Sequence, residues 1–236
     1  SVLVSRTLKC LGLTESYIDE TLDDLIQEGS NPTIGLLAQM QLGEIHVRLT
    51  AKAANEAAAA VLLDPLESTV RERLGRAVYG RDAVEYDQAV AELLRRHDVT
   101  IAVAESGMSG GVGHELGSAL TPDHRFVAAV MAHHPTALER LLDVPPELVT
   151  RYGIVSPEVA AAMARNVRRR NETDLGLAVT GAEQFQGGQD TVACIALAHG
   201  SDSVTASEYR RVSSMRFARQ RIGRAGLQAV YEHLVK

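Results

Sequence analysis

The sequence predicts an α/β protein in two parts: a small α+β module over residues 1–80, then a layered α/β/α domain over residues 81–236 with a largely parallel sheet. Three observations carry that prediction. Short apolar runs at Thr100–Ala104, Phe126–Ala132, Leu175–Val179 and Val192–Ala198 alternate with segments of helical spacing, as in parallel strands covered on both faces. Before Gly80 the order differs: strand, helix, strand, strand, helix. There Ile45, Val47 and Leu49 alternate with Glu44, His46, Arg48 and Thr50, the period of a half-buried strand. The third observation is length, since 236 residues exceed the usual ~100–200 of one domain.

Taken in order, Val2–Cys10 is the first apolar strand. Thr14 caps an acidic helix with Tyr17, Ile18, Leu22, Leu25 and Ile26 at helical intervals, ending at Gly29. Ala53–Val78 is an alanine-rich helix expected to be interrupted at Pro65, because proline lacks an amide donor and clashes with the preceding turn. Residues 81–97, with Val84, Tyr86, Val90, Leu93 and Leu94, form a helix leading into the second domain, so the boundary is expected near Gly80. Ser156-Pro157-Glu158 is a helix start with a capping serine and proline in the first turn. Arg216–Val235 is the terminal helix.

Composition narrows the function. The chain is 45% hydrophobic and 23% charged, ordinary for a globular protein, and no apolar run approaches the ~18 residues of a membrane span. No membrane partner is expected. A net charge of -6 repels a phosphate backbone, and residues 1–78 hold seven basic against eleven acidic residues, a net of -4. Nucleic acid is therefore not an expected partner. No basic and apolar leader opens the sequence, and the only cysteines, Cys10 and Cys194, lie in apolar runs. They are expected to be buried thiols of a cytoplasmic protein.

Chemistry is concentrated at Ala104-Glu105-Ser106-Gly107-Met108-Ser109-Gly110-Gly111, where a strand passes into a helix. Ligands of open α/β sheets bind at the carboxyl ends of strands, and glycine there lets backbone amides approach an anion. Ser106 is placed to act on a phosphorylated ligand, or to hold one, beside Glu105, Gly110 and Gly111. A plain turn is the competing reading, since serine and glycine are ordinary turn residues. A second loop follows the strand ending at Val179 and carries Thr180, Gly181, Gly187 and Gly188. It either closes over the same crevice or simply connects two strands. A phosphate needs a cation as well as amides, and Arg216 or Arg219 of the last helix is expected to supply it.

Val99–Gly111, Leu141–Leu148, Arg151–Val159 and Asp174–Gly181 resemble, in order and spacing, the C-terminal domain of the competence/damage-inducible protein A (CinA) family. The first segment is similar to that family's KH-like middle module through Arg6-Thr7-Leu8, Gly12, Glu15-Ser16, Asn31-Pro32-Thr33 and Glu44–Thr50. The family's N-terminal, molybdopterin-enzyme-like domain has no counterpart here, so a fragment or processed product is expected. The resemblance implies nicotinamide-nucleotide amidohydrolase chemistry: a serine attacks the carboxamide of nicotinamide mononucleotide, helped by a tyrosine and a lysine, and ammonia leaves. The serine falls on Ser106 and the glycine pair on Gly110 and Gly111. The tyrosine falls on His133 and the lysine on Leu138, so both helpers are replaced.

A serine hydroxyl is a poor nucleophile unless a base takes its proton. Lysine occurs only at positions 9, 52 and 236, and arginine does not deprotonate in proteins, so composition excludes a serine–lysine mechanism in this domain. His133 or His134 can titrate near neutrality and is the remaining base; the competing reading makes both wall or surface residues. The expectation is therefore a degenerate amidohydrolase domain that binds a small phosphorylated pyridine nucleotide with little or no turnover. The alternative is an active amidohydrolase using Ser106 and His133. No cofactor or metal is expected, RNA binding through the KH-like module is disfavoured because its turn lacks a G-x-x-G clamp, and a homodimer through the C-terminal domain is expected.

Overall fold

In the computed structural model, which describes residues 1–121, 123–181, 191–200, 203–211 and 215–236, the chain divides into two units, Ser1–Ala89 and Val90–Lys236. The N-terminal unit contains β1 (Val2–Leu11), α1 (Glu15–Glu28), β2 (Thr33–Gln39), β3 (Glu44–Ala53), α2 (Glu56–Leu74) and β4 (Val78–Arg81). Its antiparallel sheet has the order β2-β3-β1-β4. Leu8, Val47 and Leu49 of the sheet, Ile18 and Leu22 of α1, and Leu63 and Val70 of α2 are fully buried together. Thr14 caps α1 by accepting from Tyr17 N–H, and Asn55 caps α2 by accepting from Ala58 N–H. Each cap satisfies an amide that the first turn leaves without a partner.

Two expectations change here. Pro65 does not interrupt α2, which runs unbroken through it. The carbonyl that loses its amide partner is that of Val61, a residue on the exposed side of α2, where an unpaired carbonyl costs less than in the core. The helix expected over residues 53–78 ends at Leu74, and the one expected from residue 81 does not begin there, because Val78–Arg81 form a strand. They pair with β1 as β4, because Val78 and Tyr79 bury their side chains there and Asp82 exchanges backbone and side-chain bonds with Thr7. The helix that follows, α3 (Tyr86–Arg96), therefore starts later than its apolar spacing suggests.

The C-terminal unit adds β5 (Ile101–Ser106), α4 (Gly111–Leu120), β6 (Phe126–Met131), α5 (Pro135–Leu142), α6 (Pro146–Tyr152), α7 (Pro157–Arg170), β7 (Leu175–Gly181), β8 (Thr191–His199), β9 (Ser203–Arg211) and α8 (Met215–Leu234). Its sheet has the order β6-β5-β7-β8-β9. Expected to be largely parallel, it is mixed: β5 runs parallel to β6 and β7, whereas β7–β8 and β8–β9 are antiparallel. The parallel pairs are those with a helical crossover between them. Ala102, Ala104, Ala178 and Ala196 face α7 in one core, together with Leu138 and Leu142 of α5. Residues of opposite parity, Leu177 and Val179, meet α8 at Gly226. Alternation along the strands thus makes the three layers. Ser156 caps α7 through Val159 N–H. No described helix is long and apolar enough to cross a membrane.

Both cysteines are free and buried, and burial pushes the Cys10 thiol up to about 12. Charge is buried too. Glu67 of α2 accepts from Arg71 Nε at 2.9 Å, Arg6 Nη1 at 3.0 Å and Arg81 Nη1 at 3.2 Å. Burial pushes its carboxyl up, but the three guanidiniums outweigh that and hold it below the usual carboxylate range. A depressed value means stability that is present above the unfolded value of ~4.3 and lost as pH falls through the folded one. Glu67→Gln is expected to flatten that acid limb. It should also cost the N-terminal unit about 1.5–3 kcal/mol at neutral pH, nearer the lower figure because the guanidiniums are partly exposed. Urea unfolding followed by circular dichroism across pH checks both.

Candidate functional site

From β5 the chain passes through α4 to β6 on one side, and from β6 through α5, α6 and α7 to β7 on the other. The carboxyl end of β5 is thus a topological switch point, where a crevice opens in an α/β sheet. The last two residues of β5 are Glu105 and Ser106, so the strand runs further into the turn than the apolar pattern suggests, and both residues are buried.

Glu105, expected to line the ligand site, faces inward. Its carboxylate accepts from Gly113 N–H at 2.8 Å and Val112 N–H at 3.4 Å, tying the strand end to the first turn of α4. Gly113 leaves the room this needs: a Cβ there would lie 2.8 Å from Ala129 Cβ and 3.3 Å from Glu105 Oε1. Burial raises the Glu105 carboxyl, and the amide bonds at the helix start oppose this without overcoming it. Two amides of the first turn of α4, those of Val112 and Gly113, are therefore already bonded to an internal carboxylate. The pairing of a glutamate at the strand end with a glycine in the following helix is the sequence signal for this, where the sequence reading placed Glu105 in the ligand site instead.

Ser106 sits opposite Thr180 in the β5–β7 register, and Thr180 Oγ1 donates to the carbonyl of Cys194 at 3.5 Å. At Gly107 φ is +71°, and a Cβ there would lie 2.1 Å from the carbonyl oxygen of Gly181, so only glycine fits. The serine turn and the start of the second loop therefore touch at Gly107 and Gly181. Gly110 caps α4 in the left-handed region, and Gly111 opens the helix on an uncrowded side. Gly187 and Gly188 lie outside the described residues.

His133 is brought to the turn, where its Nδ1 accepts from Gly107 N–H at 3.0 Å. An amide can only donate, so Nδ1 is the unprotonated nitrogen and a neutral His133 carries its hydrogen on Nε2. His134 caps α5 in the same manner, Nδ1 accepting from Thr136 N–H at 3.2 Å. Leu138 is fully buried in the core beneath α7. Arg219 is exposed on α8. It is one turn before Gly223, whose Cα side approaches Val112 of α4. Arg216 is in the first turn of α8, with its side chain outside the described residues. Among the described residues no three His, Cys, Asp or Glu side chains converge as metal ligands.

Comparison with known proteins agrees in both units. The family model described as the damage-inducible protein CinA KH domain matches residues 5–80, and that of the CinA C-terminal domain matches residues 84–234. A CinA-like protein of Parasynechococcus marenigrum is 40% identical over 189 residues, covering 80% of this chain and 44% of that protein. A putative competence-damage inducible protein of Halalkalibacterium halodurans is 32% identical over 235 residues, 98% of this chain and 56% of that one. The chain thus spans about half the length of the curated relatives it matches. Among solved structures, a competence-damaged protein (CinA) superfamily protein from Enterobacter cloacae superposes with TM-score 0.58 at 20% identity, over 65% of this chain and 95% of that chain. One from Escherichia coli gives 0.57 at 20%, over 69% and 98%. These likenesses are of fold.

Two measurements test the site's architecture. Glu105 holds its proton to higher pH in the folded state than in the unfolded chain. Its contribution to stability is therefore full below ~4.3 and is lost as pH rises through the raised folded value. Glu105→Gln keeps an oxygen acceptor but cannot titrate, so the stability of the parent relative to the variant should decline as pH rises across that window. Equal pH slopes in urea unfolding count against the assignment. Gly107→Ala is expected to destabilise the C-terminal unit by more than ~1 kcal/mol, since positive φ and the Gly181 carbonyl both oppose the methyl group.

Proposed function

Because the chain belongs to the CinA family, as a KH domain followed by a CinA C-terminal domain, we propose that its C-terminal unit binds a small phosphorylated pyridine nucleotide at the carboxyl end of β5 with little or no turnover. The observation that carries this reading is the bond from Gly107 N–H to His133 Nδ1. Hydrolysis of a carboxamide by Ser106 needs a neighbouring lone pair to take the Oγ proton as the carbonyl carbon is attacked. In neutral His133 that lone pair is on Nδ1 and is committed to the turn, so its Nε2–H acts as a donor. The side chain at Leu138 is hydrocarbon, and no lysine lies between residues 53 and 235. What remains is suited to holding a ligand: a rigid turn, the Nε2–H donor of His133, and an arginine of α8 for the phosphate. Expected partners of the phosphate are Arg219 and Arg216, and Thr180 and Gly181 are expected ligand contacts, as are Gly187 and Gly188, which lie outside the described residues.

The second reading, an active amidohydrolase, draws on Ser106 lying at the strand end beside the turn. It requires His133 to leave Gly107 before it accepts a proton.

Calorimetric titration with nicotinamide mononucleotide, paired with an ammonia assay, separates the two. Saturable heat with ammonia no faster than the blank is the expected result. Ammonia that disappears in Ser106→Ala establishes the active reading, and ammonia that survives Ser106→Ala removes both. Restoring a lysine by Leu138→Lys is expected to cost roughly 3–5 kcal/mol of stability, because the ammonium would be buried without a partner; thermal unfolding measures it.

A further inference from the structure

The N-terminal unit contains a groove that the nucleotide reading does not use. It lies between α1 and β2, has a volume of about 590 Å³, and is lined by Glu15, Ser16, Asp19, Ile26, Ile34 and Leu36. Its chemistry is two-sided. Ile34 and Leu36 of β2 with Ile26 of α1 make an apolar floor, while Glu15 and Asp19 make an acidic wall. The helix behind that wall holds six acidic and no basic residues.

β2 is an edge strand whose second side is unpaired in the sheet. Its seven residues pair with β3 in unbroken register from Thr33 to Gln39. Asn31 pins the start of the strand by exchanging two hydrogen bonds with the backbone of Lys52. Within Thr33–Gln39 there is no proline, no charged residue and no register shift, the devices that usually protect an edge from pairing. Leu37 and Met40 at its far end are 58% and 73% exposed. Such an edge accepts a strand through main-chain hydrogen bonds, with side-chain specificity set by whatever flanks it.

We propose that this groove docks an extended segment of a partner protein in which lysine or arginine alternates with apolar residues, adding a strand to β2. The alternation follows from strand geometry: the basic side chains share one face of the added strand, their aliphatic stems lying along Ile34 and Leu36 and their charges reaching Glu15 and Asp19, while the apolar side chains share the opposite face, beside exposed Leu37. Charge decides against other occupants. A nucleic-acid strand brings phosphates to an acidic wall. A second copy of β2 paired edge to edge brings a second acidic α1 alongside the first, and like charges so placed repel.

The test uses the whole 236-residue chain and a fluorescently labelled peptide alternating valine and lysine. Saturable polarisation that weakens with added salt is expected, with slowed amide hydrogen exchange confined to residues 33–39 in the N-terminal unit. Glu15→Gln with Asp19→Lys, both at exposed positions, should weaken binding about tenfold while leaving the circular dichroism spectrum unchanged. The proposal is overturned by any of four results. These are no binding of the valine–lysine peptide, equal binding of a valine–glutamate peptide, tighter binding of oligouridylate, or affinity unaltered by the charge change. Dimerisation through β2, seen as protection of residues 33–39 that depends on protein concentration without peptide, also overturns it.

Discussion

The buried carboxylate of Glu105 beneath the first turn of α4 is the interaction from which the rest of the C-terminal site takes its position. It joins the last residues of the central strand to the helix that follows. The intervening turn then has little freedom: Ser106 stays in register with Thr180, and Gly107 is pressed against Gly181 with its amide directed to His133. The fold buries a second carboxylate, Glu67, in a different way. There the partners are guanidinium cations, and the carboxyl falls below its ordinary range. At Glu105 the partners are backbone dipoles alone, and the carboxyl rises. Dipoles orient a charge well but compensate its lost hydration less completely than cations do.

That arrangement has a functional cost. A helix N-terminus is ordinarily a ready site for a phosphate, yet here an internal carboxylate occupies it. An anionic ligand at the carboxyl end of β5 must draw its positive charge from side chains. Between residues 53 and 235 every permanent cation is an arginine, a group that grips phosphate in a planar fork and does not serve as a base. Under the proposed reading, a domain with arginine but no internal lysine is better suited to holding a nucleotide than to doing chemistry on it.

Much of this was legible in the sequence where a local rule acted alone. Thr14 and Ser156 cap the helices they were expected to cap, and the alternation of Ile45, Val47 and Leu49 marks β3. The apolar runs of β5, β6, β7 and β8 sit in one sheet. Reading failed where a distant partner decided the outcome. β4 is a strand because β1 offers it an edge, although helical spacing begins nearby. β9, at the rim of the sheet with mostly exposed side chains, lacks the apolar run by which its neighbours were found. Pro65 is tolerated in α2, where the residue whose carbonyl it orphans, Val61, is on the exposed side of the helix, which no spacing reveals. At the site, the serine turn and its glycines were visible, whereas the inward orientation of Glu105 and the bond to His133 depend on α4 and β6 folding back over β5.

The two cysteines have a consequence of a practical kind. Cys10 lies in the core of the N-terminal sheet with its thiol pushed up to about 12, and Cys194 is wholly enclosed between β7 and β9. At neutral pH neither presents a thiolate to solvent, and the thiolate is the form that reacts with electrophiles. A single cysteine introduced at any exposed position would thus be the only thiol open to a maleimide or spin label. Distances and motions within either unit can be followed spectroscopically in the native chain, without first removing the cysteines that its two cores are built around.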